Sequence, residues 1–304
     1  MYRTFSKLAV LIATLGLIVS CASTQFSKVE IRGQAQILEQ AQTSEWRSPD
    51  PENLLYMQLE TGLVIIELAP EFAPNHVANT KALVREQYFN GLFFYRVAEG
   101  FVAQAGDPKD DLKPIKNAKR SLEAELYKQG ELSSSFTLVD KRDGFAAESG
   151  FMSGFPVARN TSATETWLTH CPGAFAMARG DESDSGGATV YIVIGHAPRY
   201  LDRNTTVFGR VLMGLEYVQQ LRRGYKPAGF IESPEDYNPI VWMRVAADLP
   251  ISERINLEIM RTDSESFEDL IYARANRPEA WFYERPGYVD VCGVPVPVRR
   301  AAEK

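Results

Sequence analysis

Short strand-like runs separated by turn residues fill the middle of this 304-residue chain and constrain its fold more than any other feature. β-branched and aromatic residues dominate the runs, and Gly, Asp or Asn clusters bound them, which is typical of antiparallel strands. The runs are LLYMQLE (54–60), LVIIELA (63–69), FFYRVAE (93–99), GFVAQAG (100–106), AFAMARG (174–180), TVYIVIG (189–195) and VFGRVL (207–212). Helical spacing occurs in the same region at 74–87 and 215–224. The pattern predicts a mainly β protein, a closed antiparallel barrel with two helices.

The N-terminus has the composition of a secretory signal. Two basic residues precede an apolar run at 8–19, which is too short for a stable membrane-spanning helix. IVSC (18–21) resembles a bacterial lipobox, in which the cysteine is lipidated and becomes the first mature residue. The alternative is an ordinary signal peptide in which Cys21 is incidental. We predict a lipoprotein signal at 1–21 and a lipid-anchored protein on the periplasmic side of a bacterial cell envelope, with Ala22 favouring the outer membrane.

Charge and composition exclude several kinds of partner. The chain is 45% hydrophobic with a formal net charge of −6, which becomes −8 when the two basic residues of the signal are removed. It has no long basic cluster, so nucleic acid is excluded as a partner. The three histidines lack ligand spacing with each other or with the cysteines, so the sequence predicts no metal site and no cofactor.

Segments of different composition flank and interrupt the strand-rich region. Residues 22–48 are polar and rich in Gln and Ser, and they predict a tether ahead of a domain at 49–248. Residues 109–168 change from charged to Ser-rich and then to Gly- and Phe-rich, which predicts a long ordered insertion. Residues 249–304 predict a C-terminal extension packed on the barrel.

The C-terminal extension has one strong helical signal at 266–275. Ser266 and Asp269 have the spacing of a capping pair at its start. Pro295 and Pro297 exclude a central strand position near the end of the chain, so this segment is predicted to lie at a sheet edge or on the surface.

Two cysteines remain if Cys21 is lipidated. In an oxidising envelope, Cys171 and Cys292 can form one disulfide, which would tie the C-terminal extension to the middle of the chain. Two buried free thiols are the alternative. The sequence leaves both open.

The most specific motif is FYRVAEGFVAQAGDP (94–108), in which Arg96 stands among apolar residues. It resembles the FHRxxxGFxxQGGDP signature of the cyclophilins, the barrel-shaped peptidyl-prolyl isomerases. Further stretches resemble family motifs in the same order: AMARG (176–180), GGATVYIVIG (186–195) and YLDRNTTVFGRVLMGLEYV (200–218). Together the resemblance covers 54–225 apart from the insertion. It implies a closed eight-stranded antiparallel β-barrel capped by two α-helices.

The chemistry of proline isomerisation explains an arginine in such a place. Rotation about an X–Pro bond is slow because the nitrogen lone pair is shared with the carbonyl, which gives a barrier of about 18–20 kcal/mol. A guanidinium in a partly dry pocket can donate hydrogen bonds toward the prolyl carbonyl and nitrogen and weaken this resonance. The resemblance therefore implies a catalytic Arg96, steadied by Gln104 and adjoined by Phe101 in the proline socket. The alternative is a surface arginine whose stem covers apolar side chains.

The resemblance also implies a set of substrate-binding residues: Tyr95, Val102, Ala178, Arg179, Thr189, Tyr191, Tyr200, Leu201 and Thr205. Four of them differ from the usual family residue: Tyr95 replaces His, Thr189 replaces Gln, Tyr200 replaces Trp and Thr205 replaces His. Because these positions shape the pocket, we expect reduced or altered activity.

The predicted function is a monomeric peptidyl-prolyl cis-trans isomerase that binds proline-containing polypeptide segments and assists the folding of envelope proteins. The alternative is a catalytically weak, cyclophilin-like scaffold that binds proline-containing segments or an envelope partner. A hydrolase is a poor third hypothesis because the sequence has no GxSxG motif.

Overall fold

A computed structural model describes Met1 and residues 31–109, 112–130, 134–225 and 228–301. Residues 32–304 form one compact unit. Residues 2–30 lie outside the described residues; they include Cys21, the rest of the predicted signal after Met1, and residues 22–30 of the predicted tether. None of the helices in the described ranges combines the length and apolar composition needed to span a bilayer.

Strands greatly outnumber helices in the described part of the chain. The helices are α1 (Gln34–Gln40), α2 (Pro74–Arg85), α3 (Leu215–Gln219) and α4 (Glu265–Asn276). The first ten strands are β1 (Trp46–Arg47), β2 (Leu54–Leu59), β3 (Gly62–Leu68), β4 (Phe93–Val97), β5 (Val102–Gly106), β6 (Lys128–Gln129), β7 (Phe136–Asp140), β8 (Glu148–Met152), β9 (Phe155–Arg159) and β10 (Glu165–Leu168). The others are β11 (Ala174–Met177), β12 (Val190–Val193), β13 (Val207–Met213), β14 (Asn238–Val245), β15 (Leu257–Met260) and β16 (Val298–Arg300).

Eight of these strands close into an antiparallel barrel in the order β11-β12-β5-β4-β14-β2-β3-β13. β2 and β3 form the predicted hairpin, with Leu59 opposite Gly62 at its turn. Alternate side chains such as Met57 and Phe94 point inward and fill the barrel core. The predicted fold class, a mainly β closed barrel, is confirmed.

Strand β14, which closes the barrel between β2 and β4, is the one barrel strand that the sequence analysis did not assign. Its residues 240–245 (IVWMRV) have high β-propensity. Pro239 lies at its second position, where it is paired with Phe93 on β4. A proline near the start of a strand is tolerated there, but it weakens the sequence signal.

Two helices were predicted for the barrel region, and the bounds of the second one differ from the prediction. α2 begins at Pro74 as expected. α3 ends at Gln219 instead of continuing to Gly224. The backbone N–H of Gly224 donates to the carbonyl of Val97 at 3.0 Å, so this segment joins the edge of β4. Tertiary hydrogen bonding therefore ends the helix early.

The insertion folds into a sheet of its own, in the order β6-β10-β9-β8-β7. Met152, Phe155 and Leu168 of this sheet pack in one apolar cluster with Val102 and Tyr191 of the barrel. The described part of the insertion therefore has a folded core, and it covers the outer face of the strands that carry predicted substrate-binding residues.

The C-terminal extension packs on the barrel and on the insertion. β15 pairs with both β1 and β16, and β16 is an edge strand directly after Pro297. Leu257 of β15 covers the outward side chains Leu54 and Tyr56 of β2. Because β2 is buried on both faces, five of its six residues are apolar and the sequence does not alternate.

Helix α4 begins slightly earlier than predicted and has a different cap. Ser264 is the N-cap, and its side chain accepts a hydrogen bond from the N–H of Phe267 at 3.3 Å. The predicted capping residue Ser266 instead donates through its N–H and Oγ to the carboxylate of Glu45. Glu45 belongs to the segment predicted as a tether, and this contact holds that segment against the extension.

The described part of the predicted tether is folded and does not behave as a linker. Ile37 on α1 is completely buried, and Trp46 on β1 pairs with Met260. The few apolar residues of this Gln-rich segment find partners on the C-terminal extension, which the local composition could not reveal.

Cys171 and Cys292 are joined by a disulfide. Phe151 of the insertion and Phe267 of α4 pack in the same apolar cluster as Cys171. The disulfide thus lies where the insertion, the barrel and the extension meet.

Candidate active site

Arg96 lies on β4 next to an irregularity in the pairing of β4 with β5, which falls between Phe94 and Arg96. Arg96 is paired with Gln104 across the ladder. A bulge at this point bends the strand and changes the direction of neighbouring side chains. As a result, both Tyr95 and Arg96 reach the side chain of Gln104.

The guanidinium of Arg96 is held by two neutral acceptors. Its Nε donates to the backbone carbonyl of Ala228 at 2.7 Å, and its Nη1 donates to Oε1 of Gln104 at 3.0 Å. Its central carbon lies 5.8 Å from the ring centre of Phe101 and 5.4 Å from that of Phe230. Arg96 is partly buried, and no carboxylate of the described residues pairs with it.

The loop that supplies the Ala228 carbonyl approaches β4 closely. Gly229 has a φ of 79°, in the left-handed region, and a side chain there would meet Ala98 at 2.6 Å. Glycine therefore suits this position for both conformation and space. Its N–H and carbonyl also join the loop to Tyr225 and Val97.

Gln104 links Arg96 to Tyr95. Its Nε2 donates to the hydroxyl of Tyr95 at 2.8 Å while its Oε1 accepts from Arg96. Because both ends of the amide are bonded, the orientation of Gln104 is fixed, and the acceptor faces the guanidinium.

A cavity of about 180 Å³ opens beside Arg96. It is lined by Arg96, Phe101, Val102, Gln104, Ala178, Arg179, Tyr191, Leu201 and Thr205. Every one of these residues belongs to the set predicted from the sequence. The mixture of apolar walls with one guanidinium and one amide suits a proline ring joined to a polar backbone.

Three predicted residues do not line the cavity. Tyr95 is buried behind Gln104 and stacks on Phe230 at 6.3 Å between ring centres. The carbonyl of Thr189 accepts from the N–H of Ala178 at 2.8 Å, so this residue holds the cavity wall from behind. Tyr200 is 63% exposed and stacks over Phe101, which places it on the rim.

Arg179 lines the cavity, but its guanidinium is occupied by its own surroundings. Nε donates to the carbonyl of Asn204, and Nη1 donates to the carbonyls of Gly180 and Asp181. These bonds hold the side chain at the rim of the cavity.

Comparison with known proteins agrees with this geometry. The family described as cyclophilin type peptidyl-prolyl cis-trans isomerase/CLD matches residues 54–243, more than half of the chain. The chain belongs to the cyclophilin family. It is a cyclophilin-type peptidyl-prolyl cis-trans isomerase, as the motif around Arg96 predicted.

Relatives of several kinds support the assignment. A probable peptidyl-prolyl cis-trans isomerase of Brucella suis is 30% identical over 61% of this chain and 80% of its own length. Peptidyl-prolyl cis-trans isomerase B of Bacillus subtilis is 31% identical over 56% of this chain and 90% of its own. The crystal structure of the cyclophilin AquaCyp293 from Hirschia baltica has a TM-score of 0.70 and 30% identity, covering 85% of this chain and 95% of its own. The structural likeness therefore extends beyond the family region.

His170 supports the side chains at the base of the cavity, and the sequence analysis assigned no role to this histidine. Nε2 of His170 lies 2.8 Å from the hydroxyl of Tyr191 and 3.1 Å from Oγ1 of Thr205. The two hydroxyls are 2.5 Å apart. Burial raises the pKa of Tyr191 well above its usual range, so the phenol stays protonated.

Asp202 supports the other side of this histidine. Its Oδ1 lies 2.9 Å from both the backbone N and Nδ1 of His170. Burial alone would raise the pKa of Asp202, but the hydrogen bond from His170 and the charge of Arg199 lower it below its usual value. The carboxylate therefore stays ionised. The HCPG stretch at 170–173 was the one sequence signal that could have drawn attention to this histidine.

Proposed function

We propose that this cyclophilin accelerates X–Pro isomerisation in proteins of a bacterial cell envelope, and that Arg96 weakens the resonance of the amide. The mechanism is supported by one observation, namely that, among the described residues, the guanidinium of Arg96 is bonded only to neutral groups. Arg96 is held by Ala228 and Gln104 through neutral acceptors, and no carboxylate of the described part of the chain neutralises it. Its positive charge is therefore available to a bound peptide.

The two hydrogen bonds leave a donor for the substrate. Nη2 of Arg96 has no acceptor among the residues that the structure describes. As the X–Pro bond twists, its nitrogen becomes pyramidal, and the lone pair that was shared with the carbonyl becomes localised on nitrogen, where it can accept a hydrogen bond. A guanidinium donor that is already oriented stabilises this state more than the planar ground state. The gain is larger in a cavity with apolar walls than in water.

The apolar part of the cavity holds the proline ring in this proposal. Phe101, Val102 and Leu201 provide carbon surface, and the ring of Tyr191 completes it. Gln104 is placed to hydrogen-bond the substrate backbone while it orients Arg96. Binding on both sides of the X–Pro bond lets the enzyme hold one half of the peptide while the other half rotates.

The mechanism is tested with a prolyl-isomerase assay on residues 22–304, which include the whole compact unit. Arg96→Ala should lower kcat/KM by about 100-fold, the usual effect of losing one oriented donor. Arg96→Lys should recover part of the rate, because it keeps the charge but loses the planar fork.

Arg261→Ala is the matched control, since Arg261 is an exposed arginine paired with Asp263 on the C-terminal extension. It should keep the rate of the unmodified protein. An Arg96→Ala protein within twofold of the unmodified protein would remove the proposed role. Peptide binding without cis-trans exchange in the unmodified protein would instead support the scaffold alternative.

We also propose that the protein is lipid-anchored through Cys21 on the periplasmic side of the envelope, with the outer membrane as its destination. The support is the order of charged residues, apolar run and IVSC at the N-terminus. Growth with a radiolabelled fatty acid should label the unmodified protein and leave Cys21→Ser unlabelled. Equal labelling of both proteins, or of neither, would contradict the anchor.

A further inference from the structure

A series of buried polar contacts connects the insertion to the proline cavity. It begins at Asp143, which lies between β7 and β8 of the insertion. Oδ2 and Oδ1 of Asp143 accept from Nη1 and Nη2 of Arg199 at 3.1 and 3.3 Å. The Nε of Arg199 donates to Oδ2 of Asp202 at 2.6 Å. Both carboxylates are therefore held by one guanidinium.

The series ends at the floor of the cavity. Asp202 holds Nδ1 of His170, and Nε2 of His170 contacts the hydroxyls of Tyr191 and Thr205. Tyr191 and Thr205 line the cavity. Hydrogen bonds thus lead without interruption from the insertion to groups that face the substrate.

The members of this series are removed from water. The side chains of Asp143, Arg199 and Asp202 are 1%, 3% and 5% exposed, and that of His170 is not exposed at all. Taking ions out of water is costly, and a buried pair rarely stabilises more than a well-packed apolar group would. Such an arrangement fixes geometry, because each charged group is satisfied in one orientation only.

The series fixes the turn that carries one residue of the cavity wall and one residue of its rim. Arg199 and Asp202 stand at the two ends of a short turn, and Tyr200 and Leu201 lie between them. Leu201 forms part of the cavity wall, and Tyr200 covers Phe101 at the rim. The insertion contacts this turn a second time, since Phe145 lies 5.4 Å from the guanidinium of Arg199.

We propose that Asp143, a residue of the insertion, is a positioning residue for isomerisation: through Arg199 it holds the turn that places Leu201 against the bound proline and Tyr200 at the rim of the cavity. The insertion thereby sets how tightly the substrate is bound. This inference rests on the proposal that the cavity beside Arg96 binds the proline segment. It assigns Asp143 no contact with the substrate and no part in weakening the amide.

The test is the kinetics of Asp143→Asn on an X–Pro peptide. The amide keeps the shape of the side chain but loses the charge that holds Arg199. We expect KM to rise about fivefold with kcat within twofold of the unmodified protein, because the proline socket loosens while Arg96 is untouched. Asp140→Asn is the matched control, since Asp140 binds the exposed Arg142 close by in the chain. It should leave KM unchanged.

Arg199→Lys provides a second route if Asp143→Asn does not fold. Lysine keeps the charge but cannot bind both carboxylates with a fork. The same rise in KM is expected, and the double variant should raise KM by less than the product of the two single effects. A folded Asp143→Asn or Arg199→Lys protein with unchanged KM overturns the inference.

The outcomes separate this inference from the proposed function. If Arg96→Ala loses activity while Asp143→Asn keeps the original KM, only the positioning role is wrong. If the unmodified protein is inactive, the proposed function itself fails. A fall in kcat with unchanged KM for Asp143→Asn would also overturn the inference, since it would place the effect on the chemical step.

Discussion

Arg96 lines the cavity and Arg199 lies in the turn that carries the cavity residue Leu201, yet the surroundings of the two arginines are opposite. Arg96 is partly buried and bonds to a backbone carbonyl and an amide, with two aromatic rings beside it. Arg199 is almost completely buried and binds two carboxylates. Burial alone would lower the pKa of Arg199, but the carboxylates raise it above its usual value.

This difference separates two uses of the same side chain. A guanidinium that is oriented by neutral groups keeps a positive charge that is not neutralised and can interact with a ligand. Transition-state stabilisation requires such an oriented charge. A guanidinium between carboxylates has its charge neutralised, and removing it would leave both acids buried without the cation that they share. We therefore expect Arg96 to matter for rate and Arg199 to matter for stability and position.

The largest expected effect is on the stability of Arg199→Ala. Removing this charge leaves Asp143 and Asp202 without their shared partner, which should lower the free energy of unfolding by about 3–5 kcal/mol. Urea unfolding at pH 7 measures this. Arg142→Ala, which breaks an exposed pair with Asp140, should lower the free energy of unfolding far less. A loss below about 1 kcal/mol for Arg199→Ala would erase the contrast between the two arginines.

Asp202→Asn should lower the free energy of unfolding by a smaller amount, about 1.5–3 kcal/mol at pH 7. The reason is that the charged hydrogen bonds to Arg199 and His170 are weakened. The effect should depend on pH. The pKa of Asp202 is lowered from 3.8 in the folded protein, so its contribution to stability is complete above that value and is lost as the pH falls below it.

Urea unfolding of both proteins between pH 7 and pH 3 tests this dependence. The stability difference between the unmodified protein and Asp202→Asn should stay constant down to about pH 5 and shrink below about pH 4. A difference that grows on acidification would contradict the assignment of an ionised carboxylate.

Arg96→Ala should have a still smaller effect on stability, below about 1 kcal/mol, despite its large expected effect on rate. The side chain makes two hydrogen bonds at a partly exposed site and releases no buried charge when it is removed. Thermal or urea unfolding beside the isomerase assay measures both quantities. A stability loss as large as that of Arg199→Ala would mean that Arg96 is structural as well.

The smallest effect, on the isomerase rate, is expected for a substitution of Phe230, whose ring flanks the Arg96 guanidinium. Phe230→Leu removes a cation–π contact worth about 0.5–1 kcal/mol, so kcat/KM should fall about threefold. Tyr225→Leu is the control, because Tyr225 is an exposed aromatic residue in the same loop. Equal effects of the two substitutions would show that the loop matters as a whole and not through the ring of Phe230.

The fold was predictable where its signals are local. The β2–β3 hairpin, helix α2 and the strands around Arg96 all follow from patterns within a few residues. The early end of α3 was not predictable, because the N–H of Gly224 bonds to Val97 far away in the chain. The folding of the described part of the predicted tether (31–48) depends in the same way on contact between α1, which carries the buried Ile37, and the distant helix α4.

The residues of the candidate site also divide into those with a local sequence signal and those without one. Arg96, Phe101 and Gln104 lie within nine residues: Arg96 and Gln104 are paired on the adjacent strands β4 and β5, and Phe101 ends the short connection between them. The sequence by itself therefore determined the barrel class, the arginine and its nearest companions, because strand alternation and a tight turn leave little freedom. The resemblance to a known family added the more distant residues of the cavity wall.

The contacts behind the cavity wall were determined only by the tertiary structure. His170 is 32 residues from Asp202, and Arg199 is 56 residues from Asp143, so nothing in their local sequence indicates that they meet. Their contacts depend on how the insertion packs against the barrel. Buried side-chain hydrogen bonds require correct distance and direction, and these quantities exist only once the distant segments have come together.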